Sequence, residues 1–199
     1  METVSTSSSA LCDTSFPQGS PSPRMEAHRG RGVGINARDC SVRRISKAEA
    51  TAFLDRYHSL GMCLCRYRYG LFLERDRGKG YPVGTLVAVS TFAPLRNMTH
   101  TDGEGKGRVV RSAEWLRYCS LPELRIRGGM GKMLRFFIDE VHPGDVMTYA
   151  MVEPWKDALR DDPSYRVAPL GDSYRKLGFR EEGRISFRGG DSVKWRLVL

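Results

Sequence analysis

The strongest pattern of apolar positions along this chain is helical and lies between residues 130 and 141. Its members recur at the spacing of one helix face, and they are Met130, Met133, Leu134, Phe137, Ile138 and Val141. A second helix is predicted after Ser46, because Ser46 and Glu49 have the spacing of a capping box. That helix runs towards Tyr57, and Gly61 is its predicted stop. Each helix therefore turns one face to a core.

Alternating and continuous apolar runs predict strands around these helices. The predicted strands are residues 41–45, 66–74, 83–92, 113–118, 146–152, 180–188 and 192–199. We expect a loop over 97–107, an irregular stretch or one short helix over 153–170, and a final helix over 171–177. The order β-α-β-β-β-α-β-α-β-β predicts an α/β fold, with a single mixed, mostly antiparallel central sheet and helices on both faces.

Residues 1–38 have the composition of a flexible tail. Serine, threonine, proline and glycine dominate, and such a segment cannot bury enough apolar surface to offset its chain entropy. A transit peptide is the alternative, which the acidic residues Glu2, Asp13 and Glu26 argue against. The remaining residues, 41–199, are predicted to form one domain.

The net charge of the chain adds an expectation about its ligands. The chain has a formal net charge of +9, and its first 40 residues balance, so the whole excess lies in the predicted domain. Such a surface attracts an anionic cofactor or an anionic macromolecule. The five cysteines have neither disulfide-scaffold nor metal-site spacing, so we expect reduced thiols and no metal site. That favours an intracellular, cytoplasmic protein without a membrane span, and organelle targeting by the tail stays open.

A glycine-rich segment stands at the start of the helix predicted near residue 130. It reads Arg125-Ile126-Arg127-Gly128-Gly129-Met130-Gly131-Lys132-Met133-Leu134. The first N–H groups of a helix have no partner within it and carry partial positive charge, so this turn could bind a phosphate. The alternative is a plain glycine turn with solvated basic residues. The segment lacks the ending of a P-loop and the frame of a dinucleotide fingerprint.

A second motif follows roughly fifty residues later, and it reads Ser173-Tyr174-Arg175-Lys176-Leu177-Gly178-Phe179. Together the two motifs resemble the GNAT acyltransferase superfamily, over residues 41–199. The first motif departs from the family pattern, because Ile126 stands where the family has Gln or Arg, and Arg127 follows one residue late. The resemblance implies acetyl-CoA or another acyl-CoA as cofactor, and transfer of its acyl group to an amine.

The resemblance also implies which residues bind the cofactor. The strand before the glycine turn would hold the pantetheine arm through its N–H groups, and the turn would hold the pyrophosphate. The implied cofactor-binding residues are Arg117, Cys119, Leu121, Arg127, Gly128, Gly129, Met130, Gly131 and Lys132. Arg125, Arg127 and Lys132 would add mobile positive charge.

Three residues are candidates for catalysis. Tyr174 matches the family's general acid, since a phenol with a pKa near 10 is protonated at neutral pH; the alternative is a tyrosine that only packs. Glu114 is a candidate base, directly or through water, and an ion pair with Arg117 or with a basic loop residue is its alternative. Pairing with Arg117 would need a bulge, because strand side chains alternate. His58 is a third candidate, with a structural role as the alternative.

A narrower resemblance connects parts of the chain to the phage Mom group of DNA-modifying acyltransferases. The similar pieces are Tyr57-His58, residues 69–72 with 87–92, residues 114–118, and Thr148-Tyr149-Ala150, where Met151 replaces the group's aspartate. This likeness implies DNA or RNA as the acceptor. The alternating Arg66-Tyr67-Arg68-Tyr69 suits base stacking as well as it suits a sheet. A GNAT-fold nucleic-acid-binding module without catalysis is therefore the alternative to an enzyme.

Overall fold

The computed structural model describes residues 33–76, 80–101, 105–152, 171–187 and 190–199. Its strands are β1 Val33–Asn36, β2 Cys40–Arg44, β3 Tyr67–Leu73, β4 Leu86–Phe92, β5 Arg96–Thr101, β6 Gly107–Ser120, β7 Leu124–Arg127, β8 Asp145–Met151, β9 Arg180–Phe187 and β10 Gly190–Val198. Its helices are α1 Lys47–Tyr57, α2 Gly129–Val141 and α3 Asp172–Lys176, and a 3-10 turn, Ala37–Asp39, joins β1 to β2. None of these helices is long and apolar enough to cross a membrane.

The main sheet has the strand order β2-β3-β4-β6-β8-β10-β9. Its β6–β8 pair is parallel, as the crossover through α2 requires, and the other neighbours are antiparallel. β5 continues the line of β4 along the first half of β6. β1 and β7 form a separate parallel pair. The predicted α/β fold with a mostly antiparallel central sheet is confirmed, with this small second sheet as an addition.

Local sequence determines where the two long helices begin. The Ser46 hydroxyl accepts the Glu49 N–H while the Glu49 carboxylate accepts the Ser46 N–H, so the predicted capping box forms. α2 follows Gly128, whose φ of 76° lies in the left-handed region that glycine adopts without strain. The predicted apolar face of α2 is the face that the helix buries, through Met133, Leu134 and Phe137.

α1 and α2 cover opposite sides of the sheet. On one side, Phe137 of α2 stacks on Phe92 of β4, with 3.8 Å between ring centroids. On the other side, Cys119 Sγ of β6 lies 3.2 Å from the Tyr57 carbonyl at the end of α1 and donates to it. We refer to these as the α2 side and the α1 side. The sheet core is therefore closed by a helix on each side, as predicted.

Residues 33–38 are ordered, although the sequence predicted a tail over 1–38. β1 and the 3-10 turn occupy them, and the rest of the predicted tail lies outside the described residues. The strand escaped prediction because Val33 and Ile35 alternate with glycine and asparagine over only four residues. Pairing with β7, about ninety residues away, is what makes this segment a strand.

Between residues 96 and 120 the structure contains more strand than the sequence predicted. Residues 97–107 were predicted as a loop, but Arg96–Thr101 form β5 and pair with the first half of β6. β6 itself extends over Gly107–Ser120, two residues beyond each end of the predicted strand, which starts at Val109 and has 113–118 as its core. β5 is polar and largely exposed, so its composition resembles a loop even though its backbone is paired. The predicted irregular stretch over 153–170 lies outside the described residues.

Candidate active site

β6 and β8 pair over a short length and then separate. Their shared register ends at Glu114 and Met147, whereas β6 continues to Ser120 and β8 to Met151. Beyond Glu114, β6 keeps β4 on its other edge. The sheet therefore opens between the two strands, and we call this opening the strand divergence.

The backbone of β6 offers hydrogen bonds into the strand divergence. Peptide groups alternate in direction along a strand, and the Leu121 N–H, just past β6, donates to a carbonyl of β4. The N–H groups of Arg117 and Cys119 share that direction, whereas those of Tyr118 and Ser120 face the opening. Within the stretch predicted to hold the pantetheine arm, the N–H groups of Arg117, Cys119 and Leu121 therefore point to β4, and those of Tyr118 and Ser120 point to the opening.

A β-bulge interrupts β6 next to the opening. The register between β4 and β6 shifts there and leaves Leu116 without a partner in β4. The Arg117 guanidinium donates to the Leu116 carbonyl at 2.8 Å and to the Gly61 carbonyl at 3.4 Å. Arg117 therefore fastens the loop after α1 to the bulge.

The glycine turn presents unpaired backbone donors at the start of α2. The first backbone bond of the helix joins the Lys132 N–H to the Gly128 carbonyl at 3.0 Å. The N–H groups of Gly129, Met130 and Gly131 precede it and have no partner within the helix. No acidic residue stands in the first turn, so the positive end of the helix dipole is not offset there. This is the helix-start geometry on which the predicted phosphate site depends.

Two glycines of the turn lie close to neighbouring elements. A side chain at Gly129 would begin 2.8 Å from Ile126 Cγ2 and 2.9 Å from the Tyr118 hydroxyl. One at Gly131 would begin 3.1 Å from Leu177 Cδ2, just past α3. The turn is thus close to β6 through Tyr118 and to the residue that follows α3, Leu177.

The basic residues around the turn divide into two groups. Arg125 and Arg127 are exposed and available to an anionic ligand. Lys132, in contrast, donates from Nζ to the Ala37 carbonyl at 2.9 Å and to the Cys40 carbonyl. The prediction that Lys132 supplies mobile charge to a ligand is therefore wrong, because its ammonium ties the 3-10 turn to α2.

Tyr174 of α3 reaches the strand divergence from the α2 side. Its ring centroid lies 6.1 Å from that of Trp115, 5.7 Å from Phe179 and 6.3 Å from Trp195. Burial raises the pKa of Tyr174 above the ordinary 10.0, and Thr148 opposes that shift. The phenol is therefore protonated throughout the neutral range.

The position of Tyr174 depends on two residues that sequence reasoning missed. Gly171, with a φ of 75°, precedes α3 and lies against Trp195 so closely that a Cβ there would begin 2.0 Å from the indole. Trp195 is buried and also contacts the Tyr174 ring. The signal in the sequence was a glycine directly before the second motif, which by itself indicates only a helix start.

Glu114 lies at the same level of β6 on the opposite side of the sheet. Because strand side chains alternate, Glu114 points to the α1 side while its neighbour Trp115 contacts Tyr174 on the α2 side. Glu114 Oε2 lies 3.4 Å from Nη2 of Arg96, and the Glu114 side chain is 22% exposed. The ion pair with a basic residue is thus formed with Arg96 at the start of β5, not with Arg117.

His58 stands apart from these two residues. Its N–H closes α1 by donating to the Leu54 carbonyl, and its Nδ1 accepts the Leu60 N–H at 3.1 Å. The carbonyl of the neighbouring residue Tyr57 accepts a hydrogen bond from the Cys119 thiol. Cys119 lies about 15 Å along β6 from Glu114, so His58 is at the far end of the strand from Glu114. The structure therefore brings Glu114 and Tyr174 to one level and places His58 beside the loop after α1.

Within the described ranges, no group of His, Cys, Asp and Glu side chains could hold a metal ion. The cysteines at 40, 63, 65 and 119 form no disulfide with one another. The strand divergence is bordered by a phenol, a carboxylate and backbone amides.

Solved structures share this architecture, although no family model and no curated protein matches the sequence. The fold is GNAT-like. The spermidine/spermine N-acetyltransferase SpeG from Vibrio cholerae matches with a TM-score of 0.50 at 12% identity, covering 81% of this chain and 94% of that chain. Arabidopsis thaliana NAA60 in complex with acetyl-CoA matches with a TM-score of 0.50 at 12% identity, covering 80% of this chain and 99% of that chain. At this identity the likeness confirms the predicted fold.

Proposed function

We propose that this chain is an acyl-CoA-dependent N-acyltransferase. The observation that carries the proposal is the placement of Tyr174 and Glu114 on opposite sides of the sheet, at the level where β6 and β8 separate. Acyl transfer from a thioester breaks a bond to sulfur on one side of the carbonyl carbon and forms a bond to nitrogen on the other. A protonated phenol and a carboxylate on opposite sides supply the acid and the base for those two events.

In the proposed reaction, a neutral amine attacks the thioester carbonyl, so that a C–N bond forms and the C–S bond breaks. Glu114 takes the proton that the amine loses, directly or through water. Tyr174 gives its proton to the departing thiolate and is reprotonated from solvent. The N–H of Leu116, at the bulge, would polarise the carbonyl and stabilise its developing negative charge.

The acyl-CoA would lie on the α2 side, between the glycine turn and the strand divergence. The N–H groups of Gly129, Met130 and Gly131 would bind the pyrophosphate, and those of Tyr118 and Ser120 the pantetheine arm. Support comes from Tyr118, which connects the glycine turn to the strand divergence. Its hydroxyl lies close to Gly129 of the turn, and its ring centroid lies 6.2 Å from that of Trp115. The solved NAA60 structure, which has this fold, is a complex with acetyl-CoA.

We further propose that nucleic acid carries the acceptor amine. On the α1 side of the sheet, the carboxylates of Glu114, Asp145 and Glu182 each form an ion pair with a lysine or an arginine. These pairs are Glu114 with Arg96, Asp145 with Arg196, and Glu182 with Arg196 and Lys194. A polycationic amine needs unpaired carboxylates, whereas a polyanion is attracted by the +9 charge of the chain.

The resemblance to the phage Mom group supports the same acceptor. The similar pieces lie at the end of α1 and on β3, β4, β6 and β8, and the last three strands are direct neighbours in the sheet. Tyr57-His58 and residues 114–118 consequently border the α1 side of the strand divergence, where an acceptor would approach. We therefore propose a DNA-modifying acyltransferase of this type.

A non-catalytic nucleic-acid-binding module has less support than it had from the sequence. Tyr69 is fully buried, with its ring 5.4 Å from that of Phe136. The Tyr67 ring packs 5.5 Å from that of Phe137. These contacts occupy both rings in the α2 side of the core, so neither is free to stack on a base.

The experiment that tests the proposal offers the full-length chain labelled acetyl-CoA with duplex DNA, single-stranded DNA, RNA, a basic peptide or spermidine. We expect label on a nucleic acid and much less on spermidine. The Glu114→Gln and Tyr174→Phe variants should each lose most of the transfer. Calorimetry with acetyl-CoA runs alongside, because binding precedes transfer.

The outcomes separate the parts of the proposal. Silence in calorimetry at millimolar acetyl-CoA, from a protein that melts cooperatively, overturns the enzyme. Binding with label only on the peptide or on spermidine keeps the acyltransferase and overturns the nucleic-acid acceptor. Binding of nucleic acid without any acyl-CoA binding supports the non-catalytic module instead.

A further inference from the structure

β5 and the first half of β6 form a two-stranded antiparallel ribbon at the edge of the main sheet. Register pairs join Arg96–Thr101 to residues 107–112 along their whole length, and we call these two segments the ribbon. β8 pairs with β6 only from Ser112 onward, so most of the ribbon lies beyond the start of β8. In the part of the chain that the structure describes, β5 pairs with no strand other than β6.

One face of the ribbon is held against the sheet on the α1 side. The His100 Nε2 atom of β5 lies 3.0 Å from Asp145 Oδ2 and 3.3 Å from Arg196 Nη1. The Arg96 Nη2 atom lies 3.4 Å from Glu114 Oε2. These contacts join β5 to β6, β8 and β10, so the ribbon is held in place before any partner binds.

The opposite face of the ribbon is exposed along its whole length. Residues paired across two strands share a face, and the pairs on this face are Asn97 with Arg111, Thr99 with Val109 and Thr101 with Gly107. We call these residues the outer face. Each of them is exposed, and Val109, near the middle, is 64% exposed. No element among the described residues covers the outer face, so it is available to a partner.

The composition of the ribbon fits a nucleic acid. Its two strands carry Arg96, Arg108 and Arg111 and contain no aspartate or glutamate, so they attract a polyanion. Arginine and asparagine form paired hydrogen bonds with base edges, and the methyl groups of threonine and valine suit the thymine methyl. The connecting turn contains Asp102 and Glu104 in the sequence, and carboxylates repel phosphates, so the contact is limited to the two strands.

We propose that the outer face of the ribbon is the docking surface for duplex DNA and lies in its major groove, an inference that rests on the proposed nucleic-acid acceptor. The major groove of B-DNA is about 12 Å wide and admits a two-stranded β-ribbon. The outer face meets the base edges, and the exposed Arg108 contacts a phosphate at the wall of the groove. Arg96 connects the ribbon to Glu114, so DNA on this surface lies next to the proposed base.

The same reasoning distinguishes DNA from duplex RNA. The major groove of A-form RNA is deep and too narrow for side chains to read, so the ribbon cannot seat in it. The proposal therefore names B-form DNA as the partner of this surface.

The test measures the binding of a fluorescently labelled DNA duplex to the full-length chain by anisotropy, over a range of salt concentrations. We expect the double variant Arg108→Ala/Arg111→Ala to bind about 10- to 100-fold more weakly, with the slope of log Kd against log salt reduced by about one, because a phosphate contact and a base contact are lost. Arg75→Ala/Arg135→Ala is the matched control, since it removes the same charge from exposed residues outside the ribbon. The control should bind DNA like the parent.

Two further measurements test the shape of the contact. A duplex RNA of the same sequence should bind at least about tenfold more weakly than the DNA, because the ribbon does not fit its groove. Val109→Asp places a carboxylate near the middle of the outer face and should remove most DNA binding. Its melting temperature and its Kd for acetyl-CoA should stay parental, since Val109 is exposed. If aspartate at 109 prevents folding, Thr99→Asp on the neighbouring strand takes its place.

Three results would overturn the docking surface: equal losses in the ribbon variant and its control, equal affinity for the DNA and RNA duplexes, or a parent that binds no duplex. A parent that sediments as a dimer and becomes a monomer in Val109→Asp would also overturn it, because the outer face would then be a contact between two copies. The failure of the proposed function looks different. A parent that binds DNA through the ribbon but neither binds acetyl-CoA nor transfers label keeps the docking surface and loses the enzyme.

Discussion

The glycine turn and the strand divergence differ in which chemical groups they offer and in how far apart in the sequence those groups lie. The turn consists of consecutive residues, Gly128 to Gly131, and its donors are backbone N–H groups at one helix start. The strand divergence lies between β6 and β8 and is reached by α3, and the candidate groups there are the side chains of Glu114 and Tyr174. One place is continuous in the sequence, and the other exists only where three elements meet.

Under the proposed function, the glycine turn binds the cofactor and the strand divergence carries out the chemical step. Backbone donors at a helix start favour an anion whatever the reaction is, so the turn should govern the affinity for CoA. The side chains at the divergence act mainly on bonds that change in the transition state, so they should govern the rate. The predictions below test whether the two regions can be disturbed independently.

The largest effect is expected at the divergence. Tyr174→Phe removes the acidic proton and keeps the ring that packs against Trp115 and Trp195. We expect kcat to fall about 10²–10⁴-fold, the usual worth of a positioned general acid, while the Kd for acetyl-CoA changes little. Single-turnover kinetics measures the chemical step directly. Near-parental turnover with chemistry rate-limiting would rule out the acid role.

The next effect is expected at the glycine turn. Gly131→Glu places a carboxylate where the pyrophosphate should bind, and we expect its repulsion to weaken acetyl-CoA binding by about 100-fold or more. The fold should survive, because the new Cβ meets the flexible tip of Leu177 at 3.1 Å. Calorimetry measures the Kd, and Gly131→Ala is the uncharged control. Parental affinity in the glutamate variant would show that the turn does not hold the pyrophosphate.

A smaller effect is expected at Lys132. Lys132→Met keeps most of the side-chain length and removes the hydrogen bonds of the ammonium to the carbonyls of Ala37 and Cys40. We expect a loss of about 1–2 kcal/mol in the free energy of unfolding, because the ammonium is only partly buried. Urea unfolding measures it, with Arg135→Met as the control on an exposed residue of the same helix. A tenfold weaker Kd for acetyl-CoA at parental stability would return Lys132 to the ligand site.

The smallest effect concerns pH and stability. Because burial raises the pKa of Tyr174 above 10.0 in the folded protein, the folded state keeps this proton to higher pH than the unfolded state. Stability from this group is constant below the unfolded pKa and falls as pH rises beyond it, by at most about 1.4 kcal/mol per pH unit. We expect the unfolding free energy of the parent, relative to Tyr174→Phe, to decline between pH 10 and 11. A constant difference there would mean that the phenol is solvated.

The sequence by itself determined the features that depend on residues near one another in the chain. The apolar face of α2, the capping box at Ser46 and the glycine start at Gly128 are such features, because a helix is set by spacings of three and four residues. The motif around Tyr174 likewise marked the last helix and its tyrosine. These local signals were enough for the GNAT-like fold and for the glycine turn at the start of α2.

Only the tertiary structure decided which groups meet. β1 is a strand because it pairs with β7. Lys132 of α2 has a structural role because its ammonium reaches the Ala37 carbonyl of the 3-10 turn. The pairing of β6 with β4 decides that the N–H groups of Tyr118 and Ser120, rather than those of their neighbours, face the opening, and the register of β6 with β8 decides where that opening begins. Register and separation belong to pairs of strands distant in the chain, so no spacing within either strand records them.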